Sequence, residues 1–108
     1  MTAARRRAVA YAQSPAVPTE DRQAIVYRGF RQDLAWWIAT HPRTALRVMR
    51  LVEEVIRDPF TGTGKPEALR HRLPGEWSRR ITDADRLVYL VRGAAVHFLG
   101  ARAHYGEH

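Results

Sequence analysis

The chain has no cysteine among its 108 residues. That absence excludes a disulfide framework, a thiolate zinc site and a thiol nucleophile. The core must be held by apolar burial, as suits a reducing compartment such as the cytoplasm. Long apolar runs are missing too. The five residues Leu87–Val91 are typical of the apolar stretches, far short of the roughly 20 a membrane-spanning helix requires. Lysine is nearly absent. Lys65 is the only one, so arginine supplies the rest of 18 basic residues, which stand against 11 acidic ones for a formal charge of +7. Such a bias follows either from a GC-rich genome or from a use for arginine's planar, permanently charged fork, which fits oxyanions. The surplus leans toward the C-terminal half. A polyanionic partner, nucleic acid first, is compatible with it, although net charge says nothing about fold.

What is present organises into one domain preceded by an arm. Residues 1–22 hold Arg5-Arg6-Arg7, small residues and Pro15 and Pro18 without apolar periodicity, which predicts a flexible arm, and residues 23–108 form the domain. The arm has no apolar segment of the kind an export signal needs. Gln23-Ala24-Ile25-Val26-Tyr27 is a short β-prone run. From Phe30, the residues Phe30, Leu34, Trp37 and Ile38 fall on one helical face, and Thr40-His41-Pro42 ends the pattern. Pro42 then opens a second helix. Its apolar stripe is Ala45, Val48, Met49, Val52, Val55 and Ile56, its wet side is Arg43, Arg47, Arg50, Glu53, Glu54 and Arg57, and Asp58-Pro59 stops it.

Glycines and prolines break the second half into β-prone pieces: Leu69–Leu73, Glu76–Thr82, Arg86–Arg92 and Ala95–Arg102. The run Leu87–Val91 is apolar on both faces, as a central strand would be. The fold class expected is α+β, with two helices packed on a mostly antiparallel sheet of four to five strands and the strand at Ile25 closing one edge.

Few residues invite chemistry. His104, Glu107 and His108 cluster at the chain end, where a solvated tail competes with a metal site, and no metal is expected. Ser78 and Ser14 lie in no nucleophile elbow. Thr61-Gly62-Thr63-Gly64-Lys65 fails the Walker spacing and reads as a mobile turn. Glu67, Arg70, Arg79, Arg80, Arg86, His104 and Tyr105 remain, on or beside the expected sheet. A carboxylate and a histidine brought together make a base and an acid, and neighbouring arginines can stabilise a phosphorane's extra charge. A solvated, salt-bridged sheet surface would carry the same residues.

The stretch from Asp58 to His71, DPFTGTGKPEALRH, and that from Trp77 to Tyr89, WSRRITDADRLVY, with the ending His104-Tyr105, resemble the YoeB/Txe toxins of the RelE superfamily. The likeness runs without gaps over residues 22–105. It implies a RelE-like, microbial-ribonuclease-like fold and a toxin that enters the A site of the 70S ribosome and cleaves translated mRNA without a cofactor. It also implies a YefM/Axe-like antitoxin whose C-terminal tail wraps the toxin, and a homodimer as relatives suggest. Glu67 then matches the family's base, His104 its acid, Arg86 its charge-stabilising arginine and Tyr105 its nucleotide-positioning tyrosine. Arg80 falls at a second arginine, and Arg70 where the family often has lysine. Lys65, Arg79 and Arg72 are phosphate contacts by charge and neighbourhood, with a plain solvated cation the competing reading. Glu76 and Ala103 stand where aromatics are common, which weakens the base-stacking rim. A binding module or decayed toxin that holds ribosome and antitoxin without cutting is the alternative these departures keep open.

Overall fold

Proline lacks the N–H that a helix interior needs but costs nothing at a first turn, so Pro42 separates two helices instead of kinking one. In the computed structural model, which describes residues 21–70 and 73–102, β1 spans Gln23–Val26, α1 Arg28–Thr40 and α2 Pro42–Arg57. Strands β2 (Glu67–Ala68), β3 (Glu76–Arg80), β4 (Arg86–Arg92) and β5 (Ala95–Gly100) follow. The strand order is β1-β5-β4-β3-β2. β1 runs parallel to β5, every other pairing is antiparallel, and β4 lies in the middle. This is the expected α+β arrangement, with the early strand closing an edge. Of the arm read over residues 1–22, residues 1–20 lie outside the described residues. Arg22 is tied to the fold, its N–H donating to the Ile56 carbonyl at 2.9 Å and its Nε to that of Gly93 at 3.3 Å.

The helix pair covers one face of the sheet. Phe30 and Trp37 of α1 and Ala45, Val48, Leu51, Val52 and Val55 of α2 bury against Ile81, Leu87, Tyr89, Val96 and Phe98. Leu51 lies in this core although the expected stripe omitted it. Ile38 and Met49, expected inside, are 58% and 41% exposed. With Leu34, Pro42, Ala45 and Leu46 these residues line an apolar groove of about 340 Å³. Among the described residues no helix is long and apolar enough to cross a membrane.

Three strands end differently from expectation, each for a local reason. Leu69–Leu73 is not a strand: β2 is only Glu67–Ala68, paired to Ser78 and Trp77. Beyond it the Leu69 N–H still donates to the Glu76 carbonyl (2.9 Å), and the Glu76 N–H closes a turn on the Leu73 carbonyl (3.1 Å). β3 stops at Arg80 because the Thr82 hydroxyl accepts the N–H groups of Ala84 and Asp85 and donates to the Asp85 carboxylate, fixing a turn. β5 stops at Gly100 because α1 takes over its backbone. Ala101 N–H donates to Asp33 Oδ2 (2.8 Å), and Trp37 Nε1 donates to the Ala101 carbonyl (2.6 Å).

The packing predicts the cost of hollowing the core. Leu51→Ala should destabilise the chain by about 2–5 kcal/mol in urea unfolding. A loss below about 1 kcal/mol would contradict the burial of α2 described here.

Candidate active site on the sheet face

Side chains directly opposite one another in neighbouring strands share a face, and successive residues alternate between faces. Trp77 and Tyr89 are opposite, as are Arg79 and Leu87, and Tyr89 and Leu87 belong to the helix-covered core. Ser78, Val88, Arg80 and Arg86 therefore face away from the helices. Glu67 stands opposite Ser78 and joins that face. Arg80 lies two residues along from Ser78, so it is the diagonal neighbour of Glu67, about 7–8 Å away at the Cα level, and Arg86 is its direct partner. The fold thus brings Glu67, Arg80 and Arg86 to one side of one end of the sheet. Glu67 and Arg70, with Ala68 and Leu69, line a hollow of about 400 Å³. Lys65, exposed and with φ 52°, precedes them. His104 and Tyr105 lie outside the described residues, as do His71 and Arg72.

The two arginines are held differently. Arg86 is partly buried, and its Nη1 points at the carbonyls of Thr82 (3.3 Å), Asp85 (3.4 Å) and Asp83 (3.5 Å), which turn the guanidinium toward the β3–β4 bend. Arg80 is exposed at its side chain but anchored by its backbone. Its N–H donates to the Gly64 carbonyl (2.6 Å), and its carbonyl accepts from Arg47 Nη2 (3.1 Å). Arg47, expected on the wet side of α2, also donates to the Ile81 carbonyl at 2.8 Å, fastening α2 to the end of β3.

Arg79 corrects the expectation of a phosphate contact. It is 0% exposed, on the helix side of β3, where no nucleic acid reaches it. Its Nη2 donates to the carbonyls of Asp58 (2.6 Å) and Thr61 (2.7 Å), its Nη1 to the carbonyl of Thr63 (3.2 Å) and to Glu54 Oε1 (3.4 Å), and its Nε to Tyr89 Oη (3.3 Å). Tyr89 Oη donates in turn to the Pro59 carbonyl at 2.6 Å. Thr61–Lys65 is therefore pinned and not the mobile turn its composition suggested. Gly62, at φ 124°, leaves no room for a side chain, since a Cβ there would stand 2.8 Å from both Arg79 Nη1 and Glu54 Oε1. Glu54, also expected on the wet side, accepts the Thr63 N–H as well (3.0 Å). The signal for Arg79 was in the alternation: Trp77, Arg79 and Ile81 occupy every second position, the inward ones.

Three pKa shifts mark this network. Glu54 is held below the usual carboxylate range, chiefly by the Thr63 N–H and in smaller part by Arg79 and Arg47, against partial burial. Asp58 is held low by the Thr61 hydroxyl and the Phe60 N–H. Burial pushes the Tyr89 hydroxyl up, opposed by the Arg79 hydrogen bond, so it stays a proton donor at neutral pH.

Comparison with known proteins agrees with the fold. Residues 27–105 match the YoeB-like toxin of bacterial type II toxin-antitoxin systems. The chain is 50% identical over 74 residues to the toxin YoeB of Mycobacterium bovis, covering 68% of this chain and 87% of that one. A YoeB/ParE toxin from Agrobacterium tumefaciens superposes with TM-score 0.71 at 33% identity, over 77% of this chain and 99% of the other. The toxin of a YoeB-YefM complex from Staphylococcus aureus superposes with TM-score 0.68 at 26% identity, over 78% and 98%.

The depressed carboxylates set a sign for acid stability. A group whose pKa falls on folding contributes stability that is complete above its unfolded value, about 4.3 for Glu and 3.9 for Asp, and is lost as pH falls through the folded one. The thermal midpoint should therefore drop as pH is lowered from about 5 toward 3, and Glu54→Gln should shrink that drop. A midpoint that holds constant across this window in circular-dichroism melts would contradict the assignment.

Proposed function

The chain belongs to the YoeB-like toxins of bacterial type II toxin-antitoxin systems, and from that premise we propose that it arrests translation by cutting mRNA in the ribosomal A site without a metal. The observation that carries this reading is the placing of Glu67, Arg80 and Arg86 on one sheet face. The Glu67 carboxylate takes the proton from a ribose 2′-OH as the oxygen attacks the adjacent phosphorus. The new O2′–P bond forms as the P–O5′ bond breaks, and His104 gives its proton to the departing 5′-oxygen. Arg86 and Arg80 stabilise the added negative charge of the pentacoordinate phosphorus, and Arg70 and Lys65 hold the flanking backbone. Tyr105 positions the nucleotide.

His104 lies outside the described residues, and its part rests on the family likeness, which runs through the His104-Tyr105 ending. The exposed apolar groove of α1 and α2 supports a partner that covers it, and the partner proposed is a YefM-like antitoxin.

Purified chain incubated with translating ribosomes should produce new mRNA 5′ ends within the A-site codon. Glu67→Gln and His104→Gln should each lower the cleavage rate by about 10²–10⁴-fold while binding ribosomes normally. Intact message, or full cleavage by both variants, would overturn the proposal.

A further inference from the structure

The base of the proposed reaction stands on a strand too short to hold it. β2 contributes two residues, Glu67 and Ala68, to the ladder, and both are exposed. What precedes them is the segment 58–64, and this segment closes around the Arg79 side chain. Arg79 gathers the carbonyls of Asp58, Thr61 and Thr63, while the Tyr89 hydroxyl, itself bonded to Arg79, takes that of Pro59. Glu54 closes the ring by accepting from both Arg79 and the Thr63 N–H. The segment is finally sewn to β3 by the Arg80 N–H on the Gly64 carbonyl, three residues before Glu67.

The alternation of β3 makes this a link to the site. Arg79 points to the helix side and Arg80, its neighbour, to the site side, so a single backbone unit carries both the anchor of the Glu67 segment and the cation facing Glu67. Resting on the reading that Glu67 is the base, we infer that Arg79 is a positioning residue that sets the Glu67 carboxylate against Arg80 and Arg86 without touching RNA. An arginine is required for this. Its planar fork offers five N–H donors in fixed directions, matching carbonyls that converge from several sides, whereas a lysine ammonium offers three on a flexible stem. Arg79 and Glu67 lie on opposite faces of the sheet. The consequence is geometric: a carboxylate displaced by about 1 Å loses about 10²-fold in rate without losing substrate.

Arg79→Lys keeps the charge and loses the fork. Single-turnover cleavage on programmed ribosomes should fall by about 10²-fold at saturating toxin, with the half-saturating concentration unchanged, and the amides of Thr63 and Arg80 should exchange faster with deuterium in the free protein. Tyr89→Phe, which leaves the ring in the core and removes only the hydroxyl, should give a smaller fall in the same direction with the same amides loosened. That variant decides the matter if Arg79→Lys fails to fold. Wild-type rate in a folded variant with loosened amides would overturn the inference, as would a loss of ribosome binding in proportion to the rate. Failure of the underlying reading is seen separately, as absence of cleavage by the unmodified chain or full cleavage by Glu67→Gln.

Discussion

Burying a guanidinium strips its hydration, and the charge persists only where hydrogen bonds replace the water on every donor. Arg79 meets that condition by drawing the segment after α2 around itself. Three backbone carbonyls, a carboxylate and a phenol oxygen surround it, and each contributes to the conformation of residues 58–64. Leaving one donor of a buried group without its partner costs about 1–3 kcal/mol. The segment that leaves the C-terminus of α2 is therefore held by a cation on the helix side of the sheet, the face opposite to the one that carries Glu67.

The opposite end of the chain is fastened by a different device. β5 leaves the sheet at Gly100, and α1 immediately captures the next residues through Asp33 and Trp37, with the Arg102 guanidinium 3.6 Å from the centre of the Trp36 ring. Cations stacked on indole are held by its quadrupole as well as by apolar contact. The arginine surplus thus divides by environment. Arg47, Arg79 and Arg102 hold elements together, while Arg70, Arg80 and Arg86 stand at the proposed site. Net charge alone does not separate these groups, since both count equally toward +7.

Much of this was legible in the sequence. The 3.6-residue spacing of Phe30, Leu34 and Trp37, the break at Pro42 and the doubly apolar run Leu87–Val91 each depend on local pattern, and each is where the pattern puts it. Ile38 and Met49 were misread because a helical stripe says which side is apolar but not how much of it the neighbouring elements cover. The strand ends were misread because the Asp33 and Thr82 bonds that stop them are side-chain contacts a periodicity does not contain. Glu67, Arg80 and Arg86 were legible as a set only through resemblance; their common face required the register. Arg79 shows the sharpest contrast. Its sign suggested a phosphate contact, its place between Trp77 and Ile81 indicated the interior, and burial decides for the second.

The central claim is that the ribose 2′-OH, activated by Glu67, is the nucleophile. The most direct test is the chemistry of the cut ends. The account predicts a 2′,3′-cyclic phosphate on the upstream fragment and a 5′-hydroxyl on the downstream one, formed on ribosome-bound mRNA and blocked when the A-site ribose is 2′-deoxy. A 5′-phosphate facing a 3′-hydroxyl, or cleavage that survives the 2′-deoxy substitution, would contradict it.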